Sequence, residues 1–419
     1  MSIRKISLTL AVQIVLSMGL MQATRADDPT TGSVLQLGKI SVASTSDLTT
    51  LPSVGPVQII SAAQLQATGL TSVGDILQQL TSMGSGTNAA INSGDGENNL
   101  NLRNLGSNRV LVLVNGRRWI QFLQGQVDLN TIPLAIVDHI EILKSGASAR
   151  YGSGAMAGVV NIVTKRDING SSASAYLGEY VQGSERDGQT QSYQYTDGHS
   201  DQNSDLLFNA AYTKQRPIVG GERDISSVPK YGTGVTRGAS VTPQGRFIIV
   251  DPNTGQQEDL TVIDGTPGTS PADFRPFDKN SDFFNYAAGN YLLTPSEHSS
   301  LLIQGDRDFT DNISLHYTAL YNDRRSSQQS GPAEISIGAQ TADPIDVSAS
   351  NPYNPFGFDL TSTGANPTLL QLSRQPVEVG PRHFNEDAQT AYFNAGVDGE
   401  FSLVAHAFSW NIDATDSRT

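Results

Sequence analysis

Residues 102–119 read LRNLGSNRVLVLVNGRRW, and residues 129–165 read LNTIPLAIVDHIEILKSGASARYGSGAMAGVVNIVTK. The run Val110–Val114 is continuously apolar, as expected of a strand that is buried on both faces. The pair Asn115-Gly116 follows it at once and is a preferred two-residue β-hairpin turn. Glycines around Ser153 permit a tight turn before a second apolar run, Val159–Val163. This part of the chain therefore predicts packed strands joined by short turns.

The residues just before this stretch predict a mixed α+β domain over residues 51–166. Val57–Ile60 has the composition of a short strand, and Ser61 with Gln64 forms a capping-box signature for a helix. Residues 72–80 repeat apolar side chains at helical spacing. Residues 84–99 are rich in Gly, Ser and Asn, which predicts a loop.

From Asp167 onward the pattern changes to strict alternation of apolar and polar residues. Ile313, Leu315, Tyr317, Ala319 and Tyr321, for example, alternate with polar side chains. A period of two with one apolar face is typical of a transmembrane barrel strand. The strands predicted in this way are residues 171–181, 190–197, 204–215, 299–309, 313–326, 387–400 and 405–416. Residues 217–298 and 327–386 are predicted as long loops, all at the same end.

No constellation of residues indicates catalysis, a cofactor or a metal site. The six histidines are scattered, and no serine lies in a nucleophile-elbow context. Residues 152–158 are glycine-rich, but the third glycine falls one residue late for a dinucleotide-binding fingerprint and leads into a strand. The chain is therefore not expected to be an enzyme.

Residues 102–165 resemble, over their whole length, the plug domain of TonB-dependent outer-membrane receptors. The likeness is carried by Val110–Arg117, by Ile132–Lys144 and by Tyr151–Val163. It implies an α+β plug domain (residues 51–166) followed by a transmembrane antiparallel β-barrel (residues 167–419). The barrel is expected to be truncated, because plugged transporters use about 22 strands and about seven cannot close around a plug.

The N-terminus has the pattern of a secretory signal peptide, residues 1–26. Arg4 and Lys5 precede an apolar segment, and cleavage is expected after Ala26. Residues 27–50 form a polar extension with one β-prone run. The resemblance makes residues 38–44 the candidate TonB box, with an unstructured linker as the alternative; its central residues are Lys39, Ile40, Ser41, Val42 and Ala43.

The charge and cysteine content limit the possible partners. Removal of the signal peptide leaves 24 basic and 41 acidic residues, a net charge of −17. Such an acidic chain is not expected to bind nucleic acid. The sequence contains no cysteine, which excludes disulfides and thiolate metal sites.

The resemblance also implies site residues. Arg103 and Arg150 occupy motif positions where arginines of related receptors pair with glutamates of the barrel wall, which predicts a plug–barrel latch; exposed surface charges are the alternative. Polar residues in predicted apical loops are candidate ligand-binding residues, with a solvated loop as the alternative. These candidates are Asp95, Glu97, Asn98, Asn99, Gln121 and Gln126, with Asn130 as a further one.

The function implied is import across the outer membrane of a Gram-negative cell. The receptor would bind a scarce small-molecule nutrient, such as an iron–siderophore, cobalamin or an oligosaccharide, and release it into the periplasm. Its expected partners are the TonB-ExbB-ExbD energy-coupling complex, outer-membrane lipid and the barrel-assembly machinery. The plug and the N-terminal segment would face the periplasm. The alternative is a ligand-sensing outer-membrane receptor that transduces a signal.

Overall fold

The structure is a computed structural model that describes residues 57–80, 82–84, 96–122, 125–144, 148–182, 185–235, 237–403 and 406–419. The candidate box residues, Lys39–Ala43, and the ligand candidate Asp95 lie outside the described residues. Across the described ranges, no helix is long and apolar enough to cross a membrane.

The N-terminal domain is built on a five-stranded sheet with short helices, numbered in chain order. The strands follow the spatial order β1-β4-β5-β2-β3. Strands β2 and β5 are parallel, and the other neighbours are antiparallel. The elements are β1 (Val57–Ser61), α1 (Ala62–Ala67), α2 (Val73–Gln78), β2 (Val110–Val114), β3 (Arg117–Arg118), β4 (Val137–Leu143), α3 (Ser148–Tyr151) and β5 (Gly158–Thr164).

Local sequence signals account for several of these elements. The backbone N–H of Ser61 donates to Gln64 Oε1 over 2.9 Å, and the Ser61 hydroxyl caps α1 in return. Asn115 and Gly116 have φ values of 51° and 79°, as a type I′ hairpin between β2 and β3 requires. All five residues of β2 are buried. The predicted α+β domain is confirmed.

One glycine of this domain is required by close packing. Gly158 has φ +145°, and a Cβ there would lie 2.4 Å from the carbonyl oxygen of Leu143 and 2.5 Å from a methyl group of Leu102. Gly154 has no such constraint, since its nearest neighbour would be the end of the Arg118 side chain at 3.8 Å. The tight entry to β5 therefore depends on the absence of a side chain at Gly158.

The second part of the chain forms a seven-stranded antiparallel sheet, here called the wall. Its spatial order is β19-β18-β15-β14-β8-β7-β6, so that neighbours follow one another along the chain. All seven predicted strands are present, and several extend beyond the predicted limits. They are β6 (Gly170–Gln182), β7 (Glu185–Ser200), β8 (Ser204–Gln215), β14 (Ser296–Thr310), β15 (Ile313–Ser330), β18 (Arg382–Leu403) and β19 (His406–Arg418).

The two ends of the wall differ. At the turn side, residues 201–203 and 311–312 make short connections between adjacent strands. At the loop side, residues 216–295 and 331–381 make the long connections. Both long connections therefore lie at the same end of the wall, as predicted.

The long connections are not irregular loops throughout, which corrects the prediction made for residues 217–298 and 327–386. They contribute a second five-stranded sheet, here called the loop sheet, with the order β12-β11-β10-β17-β16. Its apolar core contains Ile249, Leu360 and Leu369, surrounded by phenylalanines. In the sequence, the few apolar residues of these connections are dispersed among Gly, Pro and Asp. In the fold, strands from both connections pair and bring these residues together. The elements are β9 (Ile218–Val219), β10 (Arg246–Val250), β11 (Gln257–Val262), β12 (Phe274–Pro276), β13 (Tyr291–Leu293), β16 (Ile335–Ile337) and β17 (Leu369–Arg374), and β9 pairs with β13.

Candidate functional site

The N-terminal domain packs against the polar face of the wall. On β15 the apolar residues Ile313 and Tyr321 are exposed on the outer face, whereas His316, Asn322 and Arg324 are buried on the inner face. Side chains alternate across a strand, so this division follows directly from the period-two pattern. The interface between the two parts is therefore lined by hydrogen-bonding and charged groups, together with four buried apolar residues of the wall, Leu207, Leu302, Leu320 and Tyr392.

A buried ion pair joins the two parts near the loop side; it is here called the loop-side contact. Arg324 Nε of the wall lies 3.1 Å from Asp128 Oδ2 of the N-terminal domain, and both side chains are only 2% exposed. The same guanidinium donates to Glu386 Oε1 over 3.2 Å. Bridging two carboxylates satisfies a charge that would be costly to bury alone.

Asp128 also organises the backbone around this contact. Its Oδ1 accepts the backbone N–H groups of Asn98 and Asn130, each over 3.0 Å. Asn322 of the wall donates to the carbonyl oxygen of Asn130 over 3.4 Å. Gly96 has φ +78°, and a Cβ there would lie 2.5 Å from Ser326 Cβ. The backbone of the N-terminal domain therefore touches the wall directly beside the ion pair.

A second cluster, here called the turn-side contact, lies near the opposite end. Arg117 Nη2 is 2.6 Å from Asp398 Oδ2, and Arg117 Nε is 3.4 Å from Asp413 Oδ1. His316 lies between the same carboxylates, with Nδ1 2.8 Å from Asp398 and Nε2 2.6 Å from Asp413. Arg117, Asp398 and Asp413 are between a quarter and two fifths exposed, so this contact is partly open to solvent.

A polar cleft lies beside the turn-side contact. It is bordered by Arg117 and Trp119 of the N-terminal domain and by Gln304, His316 and Tyr392 of the wall. Gln304 donates to Thr164 Oγ1 over 2.7 Å, while its buried Oε1 has no hydrogen-bond partner within the described structure. The rings of Trp119 and Tyr392 are 4.7 Å apart.

The predicted ligand candidates are placed in two different environments. Glu97, Asn98 and Asn99 are buried, and Glu97 accepts hydrogen bonds from Asn99 and Gln126 over 3.0 and 3.1 Å. The burial of these three residues does not fit the alternative of a solvated loop. Asn98 donates from its side chain to Ser72 and Asp75. Gln121 is exposed. Their role in ligand binding stays a prediction.

Arg103, one of the two predicted latch residues, has no carboxylate partner within the described part of the structure. Arg103 has φ 55°, is exposed, and donates through Nη2 to the carbonyl oxygen of Ala157 over 3.0 Å. Arg150 lies in α3, and its side chain is outside the described atoms. The latch stays a prediction for both residues.

The charged residues that do join the two parts were missed. The inward direction of Arg324 was predictable, because it is an even number of residues from His316 on the same predicted strand and so lies on the same polar face. Asp128 and Arg117 carried none beyond their residue type. Their partners are 196 and 281 positions away, and local periodicity does not specify such pairings.

Two titratable groups of the N-terminal domain have shifted pKa values. The buried carboxylate of Glu141, 3.8 Å from His139 Nε2, raises the pKa of His139 to about 9, together with Asp138 at 2.7 Å from Nδ1. Burial raises the pKa of Asp75, although a hydrogen bond from Asn98 opposes the shift. Within the described ranges, no group of three or more His, Asp or Glu side chains is arranged to hold a metal ion.

Comparison with known proteins assigns the N-terminal part to a family. Residues 50–159 match the TonB-dependent Receptor Plug Domain. The chain is 38% identical over 125 residues to the Vitamin B12 transporter BtuB of Vibrio cholerae serotype O1, an overlap that covers 29% of this chain and 20% of the transporter. The chain therefore spans about a fifth of the length of that relative.

The solved structures to which the chain is similar include two receptors. One is a mutant of the ferric enterobactin receptor PfeA from Pseudomonas aeruginosa in complex with enterobactin, with 14% identity, a TM-score of 0.42 and coverage of 86% of this chain and 49% of the receptor. The other is the siderophore receptor PirA from Acinetobacter baumannii, with 14% identity, a TM-score of 0.40 and coverage of 86% and 48%.

Proposed function

We propose that the chain belongs to an outer-membrane importer of a scarce nutrient, since residues 50–159 match the plug domain of TonB-dependent receptors. The nutrient would bind on the loop side of the wall and leave on the turn side, in the periplasm. Candidate nutrients are an iron–siderophore, cobalamin or an oligosaccharide. The names of the similar proteins suggest the first two. Energy would come from the TonB-ExbB-ExbD complex.

The observation that carries this proposal is the chemistry of the interface between plug and wall. The apolar core of the plug, which includes Leu102, Val112 and Ile140, extends to four buried residues of the wall, Leu207, Leu302, Leu320 and Tyr392. The other contacts described between plug and wall include ion pairs and hydrogen bonds. Polar surfaces that separate regain hydrogen bonds to water, so the ion-paired and hydrogen-bonded part of the interface can open at less cost than its apolar part. A gate requires such a separable interface.

The opposite face of the wall supports a location in the outer membrane. Phe393, Phe401, Phe408 and Ile412 are exposed on strands β18 and β19. In water this surface would be costly, whereas lipid accepts it. Backbone N–H and C=O groups within the sheet are hydrogen-bonded to neighbouring strands. A membrane-spanning segment requires this because lipid offers no water to bond them.

The proposed mechanism is a population shift. Nutrient contacts on the loop side favour a plug conformation in which the N-terminal segment is available on the turn side. The run Lys39–Ala43 then adds as a strand to the edge of a sheet in TonB. No covalent chemistry is required of the chain.

The test is deletion of residues 38–44 in the receptor produced in the outer membrane. Cells are given radiolabelled cobalamin, a ferric siderophore and a maltooligosaccharide, and surface binding is separated from uptake. We expect that the probe bound by the parent receptor is still bound by the variant but is no longer taken up. Deletion of residues 27–33, of the same length and in the same extension, is the control and should leave uptake unchanged.

Two outcomes would contradict the proposal. Unchanged uptake after deletion of residues 38–44 would remove the energy-coupling role of this segment. Binding of none of the probes, with normal receptor levels, would remove the proposed nutrient classes.

A further inference from the structure

The loop-side contact and the turn-side contact differ in burial, and a buried ion pair is costlier to break than a partly exposed one. We infer that the plug pivots on the loop-side contact and separates from the wall at the turn-side contact. The passage would then open between the β2–β3 hairpin and strands β14 and β15. This inference rests on the proposed function and adds to it the route that the solute takes.

The loop-side contact has the properties of a pivot. Arg324 and Asp128 are each 2% exposed, so breaking their pair would leave two charges in a site that water does not reach. That step is far costlier than breaking a pair at the surface. Asp128 also holds the backbone N–H groups of Asn98 and Asn130, so this part of the plug follows the position of Arg324.

The turn-side contact has the properties of a release point. Arg117 is 28% exposed, and its carboxylate partners Asp398 and Asp413 are 38% and 25% exposed. Water replaces such contacts at little cost, since partly exposed ion pairs contribute little to stability. The ring nitrogens of His316 lie 2.8 Å and 2.6 Å from the same carboxylates, so this side chain stays beside them in the wall after Arg117 leaves.

The cleft beside the turn-side contact gives the direction in which the plug would open. Gln304 and Thr318 are paired across β14 and β15, and both border the cleft next to the hairpin. The buried Oε1 of Gln304 accepts no hydrogen bond from any of the described residues. Movement of the hairpin would expose a polar surface that includes Arg166 and Asp306, which suits a hydrated passage.

The test uses single cysteines, which the cysteine-free sequence makes unambiguous. Gln304→Cys reports on the release side, and Asn322→Cys reports on the pivot side. The two positions are well matched, because both side chains are buried, face inward and donate one hydrogen bond to the plug. Asn322 lies four residues along β15 from Thr318, roughly 13 Å at 3.3 Å per residue.

The probe is a small anionic thiosulfonate reagent, applied to intact cells with the receptor in the outer membrane. Its labelling rate is compared between energised cells and cells treated with a protonophore. We expect the rate at Gln304→Cys to rise on the order of tenfold on energisation and the rate at Asn322→Cys to remain unchanged. Equal acceleration at both positions would mean that the whole plug leaves the wall, and the pivot would be refuted while import stood.

Faster labelling at Asn322→Cys alone would also refute the inference. So would unchanged labelling at both positions in cells that take up the radiolabelled nutrient. Second-site variants sharpen the result. Arg324→Met should accelerate labelling at Asn322→Cys by about 100-fold or more, and Arg324→Lys should have a smaller effect. Arg117→Gln should accelerate labelling at Gln304→Cys by at most about fivefold without energisation. Gel mobility before and after heating checks that each variant is folded.

Discussion

Replacement of Asp128 by Asn should loosen the plug from the wall far more than its single lost charge would suggest. The Asn oxygen can still accept the two backbone N–H groups that Asp128 Oδ1 accepts at 3.0 Å. Its amide, however, would face the guanidinium of Arg324, which is 2% exposed. Removing one partner of a buried pair costs about 3–5 kcal/mol, because the other charge stays buried.

The assay is urea-dependent proteolysis of the plug in the detergent-solubilised receptor. With an m value of about 2 kcal/mol/M, a loss of 3–5 kcal/mol lowers the midpoint for plug cleavage by about 2 M. Cleavage within residues 96–122 reports on the plug, and an intact wall is verified by its gel mobility. A shift below about 0.5 M would refute the reasoning, since the pair would then contribute no more than a surface ion pair.

A double replacement separates the charge from the packing. Asp128→Asn with Arg324→Met removes both members of the pair, and buried pairs replaced by apolar groups are often neutral in stability. The double variant should therefore be more stable than Asp128→Asn alone. Additive losses would mean that the two residues act independently.

Three further predictions concern the plug and the wall. Plug stability should be greatest below pH 6.5 and fall as the pH rises to about 9, because the folded plug raises the pKa of His139 to about 9. The expected loss is at most about 3 kcal/mol. His139→Gln should remove most of the change in the urea midpoint over this pH range. Gly158→Ala should destabilise the plug by about 3 kcal/mol through positive φ and overlap, whereas Gly154→Ala should have little effect on the same midpoint. Phe393→Arg should destabilise the wall in lipid by about 2–4 kcal/mol, whereas Phe401→Arg, on the same face but nearer the turn side, should cost about 1 kcal/mol or less, as measured by the fraction folded into vesicles.

The wall was the most predictable part of the fold because its signal is local. Alternation along β15 assigns Ile313 to one face and His316 to the other, and hydrogen bonding between consecutive strands then sets the sheet order. The plug hairpin was equally predictable, since Asn115-Gly116 is itself the turn. The capping box at Ser61 likewise specified the start of α1.

The loop sheet was not predictable because its core residues come from two separate connections. Ile249 lies in the first, and Leu360 and Leu369 lie in the second. Each connection alone contains too few apolar residues, among glycines and prolines, to indicate a packed core. Pairing of β10 with β17 brings them together, and such pairing between distant segments leaves no periodic trace in either one.

The same limit explains why the residues that join plug and wall escaped prediction. A latch was expected from the motif positions of Arg103 and Arg150, whereas the described ion pairs use Arg117 and Arg324. Which charges meet depends on how the folded plug is rotated within the wall, and that rotation follows from many weak contacts rather than from a motif. A polar phase such as that of β15 can nevertheless indicate where charges point inward. Arg324, a guanidinium on the inner face of a predicted wall strand, required a carboxylate from the plug, and Asp128 supplies it.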